Sequence, residues 1–303
     1  MISTREAYGK ALAELGEKYK DVVVLDADLA EATKTIEFKK KFPDRFFDIG
    51  IAEQDLIGTA AGLSLAGKIP FASTFAVFAT GRAYDQIRNA VAYSKLNVKI
   101  AATHAGITVG EDGASHQALE DLALMRAVPN MVVCSPSDGT QTRWLMEEAI
   151  KYKGPMYLRL TRPNTEEVYS SGTNFEIGKG IQHGEGTAAT IFATGVTVSE
   201  ALKAQKILHD GGIDIRVVDM HTIKPIDEEL IIKCAKETEK LITIEDHNII
   251  GGLGSAVCEV LCDKYPKQVT RMGINDEFGQ SGKWNELMDY YKITAEHIIK
   301  NVI

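Results

Sequence analysis

The sequence predicts an α/β protein with two open α/β domains, a parallel-sheet domain followed by a smaller one. Short apolar runs such as DVVVLDAD and VKIAATHAG alternate with amphipathic segments, and each run ends in polar residues. This alternation is typical of βαβ units with buried parallel strands. It is interrupted at residues 163–180, which are polar and rich in turn formers, and it then begins again. The chain therefore divides into two units.

Seven strands are predicted, at residues 21–28, 98–106, 131–138, 156–162, 188–195, 214–220 and 240–247. We predict a first domain over residues 1–165, a linker over 166–182 and a C-terminal domain over 183–303. A chain of 303 residues has room for two domains of about 150 residues each. Ligands of open α/β sheets bind where the strands end. The residues that leave the first-domain strands are Asp26, Asp28, His104, Asp138 and Arg162.

Composition excludes several classes of protein. The 34 basic and 42 acidic residues give a net charge of −8, which repels nucleic acid. The start of the chain lacks the plan of a secretory signal, and no apolar stretch approaches the roughly 18 residues of a membrane span. We therefore expect a cytoplasmic protein with no membrane contact. Without a CxxC pair, the cysteines are expected to be reduced core thiols rather than metal ligands: Cys134, Cys234, Cys258 and Cys262.

Three basic residues are candidates for binding one anion. Ser3 and Glu6 have the spacing of a capping box, which places Arg5 in the first turn of a helix. The helix dipole disfavours a cation there, so Arg5 is either a solvated side chain or the partner of an anion. His104 and Arg162 follow strands at the same sheet edge. Because arginine grips phosphate with two nitrogen atoms, the three residues together favour a phosphate site.

Glu53 lies near the start of a predicted helix in IGIAEQDLIGTAAGLSLAG (49–67). An acid in a first turn is favoured by the helix dipole alone. The apolar residues that flank Glu53 indicate instead that it is partly buried, where a carboxyl group can share a proton. Phe75 and Phe78 are either core aromatics or the walls of a slot for a flat heteroaromatic ring. The small residues of the same helix predict close packing against another backbone.

The loop after the second predicted strand concentrates polar residues. Asp112, Ser115 and His116 lie among glycines just before an amphipathic helix. Such residues are either caps and turns or ligand contacts, and a histidine in a first turn favours a hydrogen-bonding role. GGLGS (251–255) also precedes a helix, but it lacks the GxGxxG spacing, so a glycine turn is favoured over a phosphate cradle.

Seven motifs together resemble the transketolase family in order and spacing: GIAEQ (50–54), STF (73–75) with Phe78, THAGITVGEDGASHQALEDL (103–122), PNMVVCSPSDG (129–139), LTRP (160–163), VVDMHTIKPID (217–227) and GGLGSAV (251–257). In that family thiamine diphosphate lies between a pyrophosphate-binding and a pyrimidine-binding domain, and a C-terminal domain follows. This chain resembles the last two domains. The resemblance implies a pyrimidine-binding domain over residues 1–165 and a transketolase-like C-terminal domain over 183–303.

The resemblance also assigns roles to the candidate residues. Glu53 matches the glutamate that hydrogen-bonds the aminopyrimidine ring and promotes its imino form. The other implied cofactor contacts are Phe75, Phe78 and Asp28; Arg5, His104 and Arg162 would contact the terminal phosphate of the substrate, and Asp112 and His116 its hydroxyls. Glu53 and His116 are the implied catalytic residues, and no metal ligand is assigned to this chain.

The implied reaction is transfer of a two-carbon ketol unit from a ketose phosphate to an aldose phosphate. The sequence has no GDG motif, which in the family holds the diphosphate and its magnesium or calcium ion. The resemblance therefore implies an N-terminal transketolase subunit as partner, and an α2β2 assembly. A chain of this kind is active only with that subunit.

Other interpretations stay open. Gln54 replaces the histidine that usually follows the catalytic glutamate of transketolases, and IAEQ with RAYDQ (82–86) resembles 1-deoxyxylulose-5-phosphate synthase. The beta subunit of pyruvate dehydrogenase shares the length and architecture, although His104 with Asp112 and His116 favours a phosphosugar. A non-catalytic assembly or regulatory subunit, or an electron-transfer or dinucleotide-binding module, is the alternative from another class.

Overall fold

The computed structural model describes residues 1–303 and has two α/β domains, as the alternating pattern predicts. The strands are β1 (Ile2–Ser3), β2 (Val22–Asp26), β3 (Phe46–Asp48), β4 (Ile69–Phe75), β5 (Lys99–Thr103), β6 (Val132–Cys134), β7 (Met156–Arg159), β8 (Asn164–Thr165), β9 (Ile181–His183), β10 (Ala189–Ala193), β11 (Arg216–Asp219), β12 (Thr222–Lys224), β13 (Lys240–Asn248) and β14 (Thr270–Ile274). The helices are α1 (Thr4–Lys18), α2 (Ala30–Thr33), α3 (Ile36–Lys41), α4 (Glu53–Leu65), α5 (Ala76–Arg82), α6 (Tyr84–Gln86), α7 (Asp121–Ala127), α8 (Gly139–Lys151), α9 (Thr197–Asp210), α10 (Glu228–Glu237), α11 (Leu253–Lys264), α12 (Trp284–Tyr290) and α13 (Ala295–Val302).

All seven predicted strands are present, as β2, β5, β6, β7, β10, β11 and β13. The sequence did not predict β4, which lies between β2 and β5 in the first sheet. Its sequence, IPFASTF, contains buried polar residues instead of an apolar run. The Ser73 hydroxyl can be buried in this strand because it forms a 2.5 Å hydrogen bond with the Tyr8 hydroxyl of α1.

The first sheet has seven strands in the order β12-β6-β7-β5-β4-β2-β3. All neighbouring strands are parallel except β12, which is antiparallel to β6. Residues 222–224 thus complete the first sheet although they follow the predicted linker. The carboxyl ends of the parallel strands meet at one edge, and this edge carries the residues that the sequence marks as candidates.

The second sheet has five strands in the order β14-β13-β10-β11-β9, and only β9 is antiparallel to its neighbour. Helix α11 begins within GGLGS, at Leu253, and the buried Glu245 carboxylate accepts hydrogen bonds from the Leu253 and Gly254 amides. The chain's own carboxylate therefore occupies this helix start. The structure supports a glycine turn here, not a phosphate cradle.

Helix α1 begins as its sequence predicts. Ser3 is the N-cap, and its hydroxyl accepts a 3.3 Å hydrogen bond from the Glu6 amide. The apolar side of the helix, with Ala7, Ala11 and Leu12, is buried against the first sheet. The cap and this packing fix Arg5 in the first turn, next to the edge where the strands end.

Two of the sequence expectations are wrong in part. Asp138 is not free to bind a ligand, because it caps α8 through the Gln141 amide and also accepts bonds from the Val168 and Tyr169 amides. Cys134 and Cys234 are buried as expected, but Cys258 is half-buried and Cys262 is exposed. Cys262 lies on the outer side of α11 and is exposed to solvent, so it is not a core thiol.

None of the helices is long and apolar enough to cross a membrane.

A buried ion pair joins the domains. Arg159 in β7 donates through Nε and Nη2 to the two carboxylate oxygens of Asp121, at 2.8 and 3.2 Å. Tyr157 donates to the same carboxylate, and Arg159 Nη2 also donates to the Asp246 carbonyl in the second domain. Burial alone would raise the pKa of Asp121, but Arg159 and His247 hold it below its ordinary value. The pair is charged and anchors the domain junction.

We expect Arg159→Leu to lower the free energy of unfolding by about 3–5 kcal/mol, because it leaves the Asp121 charge buried without a partner. Urea unfolding followed by circular dichroism measures the loss. Arg143→Leu is the matched control: it breaks an exposed pair with Glu14 and should cost at most about 1 kcal/mol. Equal losses in the two variants would contradict the prediction.

Candidate active site

Arg5 and His104 lie together at the sheet edge. Arg5 Nη1 is 3.1 Å from His104 Nε2 and 2.9 Å from the carbonyl oxygen of Ala32. Because Arg5 can only donate, Nε2 is the acceptor, and the ring proton is therefore on Nδ1, 2.8 Å from the Thr103 hydroxyl. His104 directly follows the last residue of β5 and has the left-handed φ of 58°, which is uncommon for a residue other than glycine.

The charges around His104 are mostly positive. Burial first, and then Arg5 and Arg162, lower the pKa of His104 to about 3, so its ring is neutral at ordinary pH. Burial and Arg162 also lower the pKa of Arg5. The Nε atom of Arg5 is buried without a hydrogen-bond partner. An anion would offset the repulsion between the Arg5 and Arg162 guanidinium groups and could satisfy the unpaired donor, so this trio can form an anion site.

Arg162 links this trio to the following loop. Its Nη1 donates to the Val109 carbonyl at 2.7 Å and lies 3.3 Å from an oxygen of Asp112. The Arg162 and Asp112 side chains are about one-third exposed, at 34% and 38%. Both side chains are therefore accessible to a ligand at the sheet edge. The structure brings the predicted anion contacts and Asp112 into one group.

Four rings form a continuous aromatic surface beside the basic group. Phe75 and Phe78 are stacked with 5.8 Å between their centres, and His104 is stacked on Phe75 at 3.8 Å. His116 meets Phe78 edge-on at 5.4 Å, and its Nδ1 is 3.0 Å from the Ser115 hydroxyl. Phe75 is buried and Phe78 half-buried. The rings thus form one aromatic cluster that extends from His104 through Phe75 and Phe78 to His116.

Glu53 is the first residue of α4, and it is only 5% exposed, although the neighbouring Ile51 is 76% exposed. Its Oε1 accepts a 2.9 Å hydrogen bond from Arg82 Nη1, while Oε2 has no partner in the chain. The Arg82 guanidinium also lies 4.1 Å from the centre of the Phe78 ring, and Gln54 donates to the Arg82 carbonyl. Arg82 therefore contacts two predicted cofactor residues at once.

Sequence reasoning did not identify Arg82 as part of this site. RAYDQ was noted only as a resemblance, and no local pattern connects a residue with Glu53 at a distance of 29 positions. The one local signal is that Arg82 ends α5, where a cation is favoured by the helix dipole.

Asp28 lies at the same edge but apart from the group. It has the left-handed φ of 60°, its amide donates to Asp48, and its exposed carboxylate makes no hydrogen bond or ion pair within the chain. Asp26, just before it, is buried and accepts bonds from the Leu29 amide and two threonine hydroxyls. Burial raises the pKa of Asp26 to about 6. The Asp26 carboxylate is therefore used within the turn, and only the Asp28 carboxylate is available to a ligand.

No cluster of three or more His, Cys, Asp or Glu side chains is placed to hold a metal ion.

Comparison with known proteins identifies the fold and its relatives. Residues 1–167 match the model of the transketolase pyrimidine-binding domain, and residues 178–298 match that of the transketolase C-terminal domain. The chain belongs to the transketolase family. It is 54% identical to a Methanocaldococcus jannaschii protein described as a transketolase C-terminal section, over 99% of this chain and 95% of that protein. The chain thus corresponds to the C-terminal section of a split transketolase.

Other relatives differ in length and in name. Human transketolase is 40% identical over 99% of this chain, which spans only 48% of the human protein. A Clostridium protein named as a subunit of 6-deoxy-6-sulfo-D-fructose transketolase is 39% identical over 98% of this chain and 92% of its own length. About half of the length of a full transketolase is therefore outside this chain.

Solved structures agree with the fold. A structure described as a split gene transketolase in an inactive β4 tetramer matches with a TM-score of 0.93 and 54% identity, over 100% of this chain and 97% of that one. Transketolase from Pichia stipitis in complex with sedoheptulose 7-phosphate matches with a TM-score of 0.85 and 26% identity, over 99% of this chain and 45% of that one. The transketolase-like pyrimidine-binding and C-terminal domain architecture is confirmed.

The depressed pKa of His104 predicts how stability depends on pH. The folded chain holds this pKa at about 3, below the ~6.5 of an unfolded histidine, so the unfolded chain takes up the proton first as pH falls. His104 therefore destabilises the fold progressively from about pH 6.5 towards pH 3. In His104→Asn the free energy of unfolding should fall less steeply with falling pH than in the wild type.

Urea unfolding at a series of pH values between about 4 and 7 tests this. His209→Asn is the control, because Asp214 raises the pKa of that exposed histidine, so its removal should change the pH slope in the opposite direction. Parallel curves for the wild type and His104→Asn would show that the burial of His104 does not determine its protonation.

Proposed function

We propose that this chain supplies half of the active site of a thiamine-diphosphate-dependent transketolase, and that an N-terminal subunit supplies the other half. The observation that carries the proposal is a continuous chain of contacts: His104 stacks on Phe75, Phe75 stacks on Phe78, and Arg82 joins Phe78 to the buried Glu53. A flat, charged cofactor and an anionic substrate need these features next to each other.

The residues present fit the pyrimidine end of thiamine diphosphate. Phe75 and Phe78 present apolar ring surface, and Glu53 presents an unpaired carboxylate oxygen next to it. When bound, the cofactor supplies an electron sink for cleavage of a carbon–carbon bond. Glu53 would hold a proton at a ring nitrogen, and Asp28 offers a second, open carboxylate at the same edge. The diphosphate and its magnesium or calcium ion would be held by the partner, since this chain has no GDG motif.

The substrate is proposed to be a phosphosugar. Arg5, His104 and Arg162 would bind its terminal phosphate, and their unpaired donor and positive charges support this role. Asp112 and His116 would contact the sugar hydroxyls, with His116 also moving a proton during the reaction. A sulfonate is a tetrahedral anion as well, so donor sugars that carry either group at the terminal carbon should be compared in the same assay.

The partner is proposed to be an N-terminal transketolase subunit that carries the GDG motif, in an α2β2 assembly. On the outer side of α4, Gly58 and Gly62 have no side-chain or backbone atom within 4 Å of the position of an added Cβ, and Leu65 is 75% exposed. This surface leaves room for another backbone, which supports self-association. We propose that the assembly is cytoplasmic and that its reaction belongs to pentose phosphate metabolism.

Two alternative functions are distinguished by the same reconstitution. A 1-deoxyxylulose-5-phosphate synthase-like or pyruvate dehydrogenase beta-like subunit would use pyruvate as donor and transfer no ketol unit from a ketose phosphate. An assembly or regulatory subunit would leave activity independent of Glu53. Gln54, the residue that raises the first alternative, is exposed and donates to the Arg82 carbonyl, so it is not buried in the aromatic patch.

In the reconstituted pair, we expect Glu53→Gln to lower kcat for ketol transfer from xylulose 5-phosphate by about 10²–10⁴-fold, because the amide cannot exchange a proton with the cofactor. Coupled assays with magnesium, thiamine diphosphate and a GDG-bearing partner measure this. Asp55→Asn is the matched control, since Asp55 is an exposed acid in the first turn of the same helix and should leave kcat within about twofold. Full activity of Glu53→Gln would refute the mechanism, and activity of the isolated wild-type chain would refute the split site.

Arg82 gives a second test, on cofactor binding. Its guanidinium occupies Oε1 of Glu53 and one face of Phe78, so it competes with the pyrimidine ring at both places. The combined free energy of a half-exposed ion pair and a cation–π contact corresponds to about a tenfold change in the dissociation constant of the cofactor. We expect Arg82→Ala to bind thiamine diphosphate about tenfold more tightly in the assembled pair, as measured by calorimetry.

Arg88→Ala is the control for Arg82→Ala. Arg88 is exposed in the segment that follows α6, and its side chain donates only to Asn89. Its removal should leave the cofactor affinity unchanged. Weaker cofactor binding by Arg82→Ala would mean that Arg82 binds the cofactor or the partner rather than competing with the cofactor.

A further inference from the structure

We infer that the C-terminal domain positions the sugar-binding residues, and that Gln117 and Ser281 are the positioning residues that do so. The segment concerned is residues 107–117, called the 107–117 loop below, which carries Asp112 and His116. This inference rests on the proposed function, and it assigns a role in that function to the domain that contributes no residue to the candidate site.

The beginning of the 107–117 loop is bound by a buried carboxylate of the second domain. Asp246, at 1% exposure, accepts hydrogen bonds from the Ile107 amide at 2.8 Å and from the Thr108 hydroxyl at 2.6 Å. A Cβ at Gly106, which has φ 77°, would lie 2.1 Å from this carboxylate. Only glycine permits so close an approach with that backbone conformation. The entry to the loop is therefore fixed by strand β13.

The end of the 107–117 loop is bound by one glutamine. Gln117 is 3% exposed, and its Nε2 is 3.0 Å from the Gln280 carbonyl of the second domain. The same nitrogen lies 3.3 Å from the Ile107 and Gly110 carbonyls within the loop. One side chain thus joins both ends of the loop to the segment before α12.

The middle of the 107–117 loop is packed against the same segment. The Ser281 hydroxyl donates to the Glu111 carbonyl at 2.6 Å. A Cβ at Gly110 or Gly113 would lie 3.4 Å from the Gly282 carbonyl oxygen or 3.6 Å from Ser281 respectively, so the two segments run close together, about one methyl group apart at these positions. The second domain therefore holds the loop at its start, middle and end.

Asp112 and His116 themselves have no direct bond to the second domain. Asp112 pairs with Arg162, and His116 contacts Ser115 and the Phe78 ring. Their directions depend on Glu111 and Gln117, on either side of them: Ser281 binds the Glu111 carbonyl, and the Gln280 carbonyl accepts a hydrogen bond from the Gln117 side chain. Loss of these bonds should misplace the sugar contacts and leave Glu53 and the phenylalanine rings in place.

The test uses Gln117→Met, which keeps the side-chain length and removes the amide, and Ser281→Ala, a milder change. In the reconstituted pair, KM for the phosphosugar donor should rise about tenfold for Gln117→Met and about threefold for Ser281→Ala. The dissociation constant for thiamine diphosphate should stay within about twofold of the wild type, because the cofactor residues are untouched, whereas kcat should fall in the same order as KM rises, because His116 is misplaced with the loop. Amide hydrogen exchange in residues 107–117 should be faster in both variants.

Gln205→Met is the matched control. Gln205 also donates to two carbonyls of the C-terminal domain, those of His183 and Ile215, but it is remote from the 107–117 loop. The KM of the Gln205→Met variant for the phosphosugar donor should equal that of the wild type. An unchanged KM in Gln117→Met, with an active wild-type pair, would overturn the inference even if exchange were faster. A wild-type pair that transfers no ketol unit would instead overturn the proposed function, and the inference with it.

Discussion

The charged contact between Arg159 and Asp121 is the interaction on which the domain junction and the candidate site both depend. Arg159 is 2% exposed, so its charge would be very costly without a partner. Burial alone would lower its pKa, but the carboxylates of Asp121 and Asp246 hold it above its ordinary value. A single guanidinium in the first sheet therefore fixes the start of α7 and, through its bond to the Asp246 carbonyl, the second domain.

The consequences of this contact reach the 107–117 loop, which carries the proposed sugar contacts. The Asp246 carbonyl accepts a hydrogen bond from Arg159. The Asp246 carboxylate accepts hydrogen bonds from the Ile107 amide and the Thr108 hydroxyl. Asp121 lies four residues after Gln117, the last residue of the loop. The start of the 107–117 loop is thus bound to this buried charge network, and the network's Asp121 follows shortly after its end. Because buried polar groups are costly to leave unpaired, this network favours one relative arrangement of the two domains.

A second buried network lies at the other side of the junction. The Asp219 carboxylate, at the end of β11, accepts bonds from Tyr169 and Gln141. Asp138 meanwhile binds the linker amides, so the segment between the domains is attached to both. Burial raises the pKa of Asp219 to about 6. The linker that the sequence predicts as polar and irregular is thus an ordered part of the junction, because two carboxylates satisfy its polar groups.

The sequence could predict what depends on local pattern and on strand order. Seven strands follow from apolar runs, and the group of Arg5, His104 and Arg162 follows from the rule that strand ends meet at one edge. Strand β4 was missed because its buried polar residues hide the pattern. Gln117 was missed as a structural contact because its partner, Gln280, is 163 positions away, and no periodicity reports a single long-range hydrogen bond.

The unpaired groups of the candidate site support the proposal that it is one half of a larger site. The Asp246 and Asp26 carboxylates, which lie beside the site, accept several hydrogen bonds within the chain. Groups of the site itself are left open: Glu53 Oε2, the Asp28 carboxylate and Arg5 Nε have no partner. Since unpaired polar groups are unfavourable once buried, these atoms need solvent, a ligand or another chain above them. In this chain alone Arg82 covers part of that surface, with a half-exposed side chain that a better-fitting ligand can displace.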